Sequence, residues 1–190
     1  MTPRLTIRLA RGLCLAALLI QTGCSDRRVL TRQTWTTMGT LATITVPEPE
    51  VPRLEAYAAT CREIFESVNR DMSLYNTNSE LCALNRAAGQ KAVPVSPATL
   101  AVLQYSLEYG RLSQGCFDIT IAPLVQLWGF SGGSAPAAIP PPEQIQAARE
   151  RVGYSHLILS SPAGHAFLDR PGMSVDLGGI AKGYAVDVSY

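Results

Sequence analysis

The sequence has few lysines, no paired cysteine motif and no long hydrophobic run, and each shortage excludes a class of protein. Only two of the 16 basic residues are lysines, and no clustered basic face indicates a nucleic-acid partner. No Cys-x-x-Cys occurs, which argues against a zinc or dithiol site. No Gly-x-x-x-x-Gly-Lys-Ser/Thr occurs, which excludes a P-loop. The apolar run at 13–20 is too short for a membrane span, which needs about 20 residues.

The N-terminus instead has the pattern of a secretion signal. Three arginines among the first 11 residues precede the apolar run, and Cys24 follows shortly after it. This ending resembles a bacterial lipobox, in which the cysteine becomes lipidated and N-terminal, although Gln21 stands where leucine is usual. We expect a lipoprotein signal peptide at 1–23 and a polar tether at 24–34, on a bacterial membrane at its periplasmic side. Ordinary secretion and a retained anchor are the alternatives.

Cleavage before Cys24 would leave 167 residues, enough for one domain with a sizeable core. The remaining chain would carry 13 basic and 15 acidic residues, a formal charge of −2. The other cysteines, Cys61, Cys82 and Cys116, are odd in number and widely spaced. We expect buried free thiols, with one bridged pair as the alternative.

Strand and helix patterns alternate irregularly along the chain. Period-2 or short apolar patterns predict strands at 40–46, 156–160, 166–169 and 173–176. Helical periodicity and capping residues predict helices at 54–68, from 96 onward and at 143–152, a short one opening at Ser79, and a loop at 131–142. Irregular alternation with hairpin signals predicts an α+β fold, a mixed or antiparallel sheet flanked by helices.

The segment 176–187 contains two adjacent glycines, a lysine and two flanking carboxylates, and it opens a predicted helix. Unpaired N–H groups at a helix start attract anions, and glycines let a phosphate approach the backbone. Lys182 stands out among fourteen arginines and suits a compact charge on a phosphate. The alternative is that the glycines only cap a helix.

Several other residues have both a ligand-binding and a structural interpretation. Asp118 lies in an apolar run, where a carboxylate needs partners, and it either accepts a ligand's hydrogen bond or caps the preceding helix. Tyr75 at a loop entry either stacks on a flat ring or is an ordinary surface tyrosine. Trp128 and Phe130 are expected in the core, and both histidines on the surface.

Together these segments resemble the FAD:protein FMN transferases of the ApbE type, from about Trp35 to Tyr190. The residues that carry the resemblance are Thr37-Met-Gly-Thr40, Met72-Ser-Leu-Tyr75 with Ser79-Glu80 and Asn85, Gly115-Cys-Phe-Asp-Ile-Thr-Ile-Ala-Pro-Leu-Val-Gln-Leu-Trp-Gly-Phe130, and Val175-Asp-Leu-Gly-Gly-Ile-Ala-Lys-Gly-Tyr-Ala-Val-Asp187.

The resemblance implies an enzyme that binds FAD and Mg²⁺, splits the pyrophosphate, releases AMP and joins FMN to a Ser or Thr hydroxyl of a target protein. The implied targets are quinone reductase, Rnf-type or flavin reductase subunits. Gly179 would offer its backbone carbonyl to the metal. The implied contacts with FAD are Met38, Tyr75, Cys116, Phe117, Asp118, Asp176 and Lys182.

In that family the remaining metal ligands, an aspartate and a threonine, and the candidate base lie beyond the position of Asp187. The resemblance therefore implies that this chain is an N-terminal portion and that the catalytic base is not among its residues. An FAD pyrophosphatase and a lipid-anchored flavin-binding protein without catalysis are the alternative functions.

Overall fold

The computed structural model describes residues 29–130 and 138–190, which form helices and short antiparallel strands. The α-helices are α1 (Leu54–Met72), α2 (Glu80–Arg86), α3 (Pro97–Leu112), α4 (Ala122–Leu127), α5 (Pro142–Arg149) and α6 (Ala181–Asp187). The strands are β1 (Leu30–Thr37), β2 (Thr40–Pro47), β3 (Val93–Pro94), β4 (Leu157–Ser160) and β5 (His165–Leu168). Three 3-10 turns are Glu48–Arg53, Ile119–Ile121 and Tyr154–His156. The predicted α+β class is confirmed.

Strands β1 and β2 form a hairpin whose register runs from Thr37 opposite Thr40 to Leu30 opposite Pro47. Met38 and Gly39 connect them with φ values of 47° and 70°, as a tight two-residue hairpin turn requires. The predicted strand at 40–46 is confirmed. The predicted tether is wrong for residues 30–34, because they pair with β2 along an alternating half-buried pattern.

A second sheet has the order β3-β5-β4, and both of its pairings are antiparallel. Its two longer strands lie within one residue of the predicted limits. The predicted strand at Met173–Asp176 is wrong, since this segment has the alternating burial of a strand but no strand partner among the described residues. A side chain of α2 bonds its backbone instead, as described below.

The predicted helices are present, with shifted ends. Ser96 caps α3, accepting a hydrogen bond from Thr99 N at 3.3 Å. Helix α5 ends at Arg149, three residues before the predicted end, because the amides of Arg151 and Val152 bond carbonyls three residues back and tighten the chain into a turn. Part of the predicted loop, residues 131–137, lies outside the described residues.

The core lies where α1, α2, α3 and the second sheet meet. Its largest fully buried apolar side chains are Leu81, Leu84, Leu103, Leu168, Met173, Leu177, Val102 and Val175. Within the part of the chain that the structure describes, no helix has the length and apolarity needed to cross a membrane.

Two predictions about burial are corrected. Phe130 is 76% exposed and Trp128 is only half-buried, so this aromatic pair is not core. Both histidines are half-buried rather than fully on the surface, and Nδ1 of His156 lies 3.1 Å from a carboxylate oxygen of Asp169.

Candidate functional site

Asp118 is held by donors from two different segments. Its Oδ1 accepts hydrogen bonds from the backbone N and the hydroxyl of Thr120 at 2.7 and 2.6 Å. Its Oδ2 accepts from the backbone N of Tyr154 at 2.8 Å. Asp118 therefore caps the turn that follows it, not the helix that precedes it. These bonds satisfy a carboxylate in an apolar run.

The chain reaches Asp118 through a tight reversal after α3. Gln114 and Gly115 have φ values of 55° and 84°, which send the chain back along the helix end. Phe117 follows, its backbone N donating to Ser113 Oγ at 2.9 Å. The Phe117 ring packs edge-on against Tyr109, with centroids 6.3 Å apart. The reversal fixes Phe117 beside the Asp118 turn.

Asp176 reaches the same place from the other end of the described chain. Its backbone N donates to Ile119 O at 2.8 Å, which joins the segment 173–176 to the Asp118 turn. Asn85 holds the preceding residue, because Val175 N donates to Asn85 Oδ1 at 2.8 Å and Asn85 Nδ2 donates to Val175 O at 3.0 Å. The two predicted carboxylates are thus on neighbouring backbone segments.

The glycine pair forms a turn directly after Asp176. Gly178 N donates to Asp176 Oδ1 at 2.7 Å, and a Cβ on Gly178 would lie only 3.0 Å from that oxygen. A Cβ on Gly179 would lie 3.5 Å from the Phe117 ring, so the open side of this glycine faces the aromatic side chain. Lys182, exposed in the first turn of α6, donates from Nζ to Gly178 O at 2.8 Å.

These segments line one cavity of about 280 Å³. Its lining is Gly115, Cys116, Phe117, Asp118, Ile119, Ile121, Asp176 and Gly179. We call it the Asp176 cavity. Five residues implicated by sequence line it together, although nearly 60 positions separate the two groups. Lys182 does not line it but bonds to the glycine turn at its edge.

Tyr75 lies in a second cavity of about 280 Å³. We call it the Tyr75 cavity, and its lining is Leu74, Tyr75, Cys82, Asn85, Arg86, Gln126 and Ser174. Tyr75 is 76% exposed. Met38 lines neither cavity; it is partly buried against the core at the hairpin turn.

Cys61, Cys82 and Cys116 are free thiols, as the first interpretation holds, and no bridged pair forms among them. Their expected burial is wrong: Cys116 is exposed at the Asp176 cavity and the other two are half-buried. The lipid-attachment candidate Cys24 lies outside the described residues.

Thr120, Asn85 and Ser174 are residues of these sites to which sequence analysis gave no role of their own. Thr120 had a usable signal, because a residue two positions after an aspartate is a frequent donor to its carboxylate. Asn85 bonds a residue 90 positions away, and no local pattern reports such a contact.

The described residues do not complete a magnesium site. Mg²⁺ requires six oxygens in an octahedron, and no group of three or more His, Cys, Asp or Glu side chains within residues 29–130 and 138–190 is arranged to hold a metal. The Asp176 cavity offers two carboxylates and the Gly179 carbonyl, and Asp118 already accepts three hydrogen bonds. These groups alone do not hold the ion.

The fold is shared with solved flavin transferases. The chain aligns with "Flavin Transferase ApbE from Vibrio cholerae" at TM-score 0.78 and 32% identity, covering 85% of this chain and 52% of that one. It aligns with the apo form of the Pseudomonas stutzeri flavinyl transferase ApbE at TM-score 0.76 and 26% identity, covering 85% of this chain and 52% of that one. A family model described as the ApbE family matches residues 38–190, and the chain belongs to this family.

Curated relatives agree with the structural matches. The chain is 33% identical over 186 residues to the FAD:protein FMN transferase of Salmonella typhimurium, covering 93% of this chain and 53% of the relative. It is 33% identical over 175 residues to the FAD:protein FMN transferase of Vibrio cholerae serotype O1, covering 92% of this chain and 52% of the relative. The chain spans about half the length of the curated relatives it matches.

Proposed function

We propose that the protein to which this chain belongs transfers the FMN moiety of FAD to a Ser or Thr hydroxyl of a target protein, releasing AMP. The observation that carries the proposal is the Asp176 cavity. There 116–118 and 176–179, the segments that the family resemblance assigns to FAD and metal, lie side by side. The relatives named FAD:protein FMN transferase support the same reaction.

In phosphoryl transfer the protein mainly positions the reacting groups and neutralises the charge of the phosphates. The target hydroxyl oxygen bonds to the phosphorus of the FMN half, the bond between that phosphorus and the bridging oxygen breaks, and AMP leaves with that oxygen. The hydroxyl proton passes to a base that this chain's described residues do not identify. The transfer neither oxidises nor reduces the flavin.

We assign the contacts with FAD to Met38, Tyr75, Cys116, Phe117, Asp118, Asp176 and Lys182. The Phe117 ring beside the bare Gly179 backbone offers a flat apolar surface. The exposed amino group of Lys182 is anchored at the glycine turn, where it would neutralise phosphate charge. Tyr75 would contact the ligand from the neighbouring Tyr75 cavity.

We also propose Mg²⁺ dependence, with Gly179 O as one ligand. The other oxygens would come from the diphosphate, water or residues outside those described here. Removal of divalent ions with a chelator is expected to abolish transfer, and Mg²⁺ is expected to restore it.

The reaction is tested with a Ser- or Thr-containing target protein, FAD and a chain extended to the length of the relatives. Covalent yellow fluorescence on the target with one AMP per FMN transferred is the expected result. Rapid release of free FMN and AMP without a target would identify a pyrophosphatase instead. Stoichiometric FAD retention without AMP would identify a flavin-binding protein.

We propose that the protein is lipid-anchored through Cys24 on the periplasmic side of the bacterial membrane. The basic front, apolar run and lipobox-like ending support this. Labelled palmitate should enter the wild-type protein and not the Cys24→Ser variant. Equal labelling of both would contradict the anchor. The proposed targets are membrane quinone reductase, Rnf-type or flavin reductase subunits.

A further inference from the structure

The segment 173–176 alternates between buried and half-buried residues but has no strand beside it among the described residues. Met173 and Val175 are 1% and 0% exposed and belong to the core. Backbone polar groups at such depth are costly unless they find partners. The hydrogen-bond partners of the Val175 backbone N and O are atoms of a side chain.

Asn85 supplies both bonds that a neighbouring strand would make. Its Oδ1 accepts from Val175 N at 2.8 Å and its Nδ2 donates to Val175 O at 3.0 Å. An asparagine amide matches a peptide group because it presents one carbonyl oxygen and an NH₂ side by side. Asn85 sits on α2, which is fixed by the fully buried Leu81 and Leu84.

Val175 stands between the two cavities. Ser174 and Asp176 are half-buried while Val175 between them is buried, as expected when alternate residues share one side of a segment. Ser174 lines the Tyr75 cavity, and Asp176 lines the Asp176 cavity. Asn85 itself lines the Tyr75 cavity. A shift of Val175 would therefore move both linings and, through the Asp176–Gly178 hydrogen bond of 2.7 Å, the glycine turn.

We propose that Asn85 is a positioning residue that places Asp176 and the Gly178–Gly179 turn for FAD by holding the backbone of Val175. The inference rests on the proposed function for the identity of the ligand, since FAD would contact both cavities. Asn85 acts on the Asp176 cavity through Val175, so it is not a catalytic residue there.

The test combines amide NMR of the 190-residue chain with FAD titration. In the wild type, the Val175 amide proton should exchange slowly with solvent. The Asn85→Ala variant should shift the amide resonances of Asp176, Gly178 and Gly179 and raise the FAD Kd about tenfold or more, since small misplacements of binding groups carry large costs. Far-UV circular dichroism should remain that of the wild type.

The Asn85→Asp variant provides a second test of the positioning role. At neutral pH it keeps an acceptor for Val175 N but places a carboxylate oxygen against Val175 O. Its resonances at 176–179 should be displaced at pH 7 and should move back toward the wild-type positions as its carboxyl is protonated, at a pH above the ordinary aspartate pKa of about 3.9 because the facing carbonyl disfavours the charged form. A residue needed only for general stability would show no such recovery.

Gln104→Ala is the control, because Gln104 Nε2 also ties distant segments, donating to Ser161 Oγ at 2.8 Å, and lines neither cavity. It should leave the 176–179 resonances and FAD affinity unchanged. The proposal is overturned if the Val175 amide exchanges as fast as an amide in an open loop. It is also overturned if Asn85 variants that fold normally leave the 176–179 resonances unmoved. If the 190-residue wild type fails to bind FAD, the titration is repeated on the chain extended to the length of the relatives, where a failure would contradict the proposed function. The resonances and exchange of the 190-residue chain still decide the role of Asn85.

Discussion

The Thr120 hydroxyl joins two segments that meet beside the Asp176 cavity. It donates to Asp118 Oδ1 at 2.6 Å and accepts from Gly153 N at 2.7 Å. Thr120 is 0% exposed, so water does not replace these bonds if the hydroxyl is removed. At the residue scale, the shape of the Asp118 turn depends on this one side chain.

Thr120→Val should lower the free energy of unfolding by about 1–3 kcal/mol, since it leaves Gly153 N, which is part-buried, without its partner. Urea denaturation of the chain measures the change. Thr120→Ser keeps the hydroxyl and should retain most of the stability. A valine variant as stable as the wild type would show that the hydroxyl bridge contributes nothing.

Lys182 is expected to matter for binding and not for stability. Its side chain is exposed and makes one hydrogen bond to Gly178 O. Lys182→Ala should weaken FAD binding about tenfold, the low end for loss of a hydrogen bond to a charged group, and leave the urea midpoint unchanged. Titration at low and high salt should show a smaller salt dependence for the variant. Equal affinities would remove Lys182 from the site.

At the scale of elements, the β1–β2 hairpin attaches to α1 through one face of β1. The Trp35 ring packs edge-on against Phe65 with centroids 6.1 Å apart, and the Arg62 guanidinium lies 5.4 Å from the Trp35 ring centre. Glu55 of α1 accepts from Gln33 Nε2 at 2.8 Å and from Arg62 at 3.0 Å. A two-stranded hairpin is marginal by itself, so these contacts fix it.

Trp35→Ala should detach the hairpin more than it unfolds the protein. A buried tryptophan covers roughly 150–250 Å² at about 25 cal/mol/Å², and Trp35 is half-buried, so a loss of about 2–3 kcal/mol is expected. Limited proteolysis should cut near the hairpin faster than in the wild type. Trp35→Phe is the control and should retain most of the protection. An unchanged cleavage pattern in the alanine variant would contradict this attachment.

The Glu55 contacts should weaken in acid. The hydrogen bond from Gln33, and then that from Arg62, lower the pKa of the Glu55 carboxyl below its ordinary value. A lowered folded-state pKa means that the stabilisation is fully present above the ordinary glutamate value, near 4.3, and is lost as pH falls through the lower folded value. Glu55→Gln should therefore cost stability at pH 7 and little at pH 3 in urea denaturation. If the wild type and Glu55→Gln differed in stability by the same amount at both pH values, the charge of Glu55 would contribute nothing to stability.

Local sequence patterns predict some of these helices and strands and fail for others. Helices α1 and α3 were predictable because their apolar periodicity and the Ser96 cap act within the element. The strand predicted at 173–176 failed although its alternation is real. The partner of Val175 is the side chain of Asn85, 90 positions earlier, and periodicity does not distinguish that from a strand.

At the scale of the whole molecule, the Asp176 cavity joins segments that no local rule pairs. The reversal at Gln114–Gly115 and the hydrogen bond from Asp176 N to Ile119 O bring them together. The family resemblance predicted, by analogy, that five residues of this cavity contact one ligand or its metal, and the structure places those five side by side. Physical reasoning on the sequence predicted a glycine turn before a helix, with anion binding as its hypothesis, but not that the Phe117 ring would lie beside Gly179.

Residues 1–190 alone should neither hold Mg²⁺ tightly nor transfer FMN. The oxygens at the Asp176 cavity are partly engaged, since Asp118 accepts three hydrogen bonds and Asp176 Oδ1 accepts from Gly178 N. Mg²⁺ needs near-octahedral oxygen coordination, and the described residues gather no further metal-binding side chains there. Calorimetry with Mg²⁺ and FAD, and in-gel flavin fluorescence of a target protein, measure both properties.

The comparison is a chain extended to the length of the relatives, of which this chain spans about half. The longer protein should bind Mg²⁺ together with FAD and label the target, whereas the 190-residue chain should bind FAD weakly and leave the target unlabelled. Ligand binding stabilises a folded state in proportion to ln(1 + [L]/Kd), so Mg²⁺ should raise the Tm of the longer protein only. Robust labelling by residues 1–190 would mean that the groups around Asp176 and Lys182 suffice for the reaction, and the ligand assignment at Gly179 would then have to be rebuilt from this chain alone.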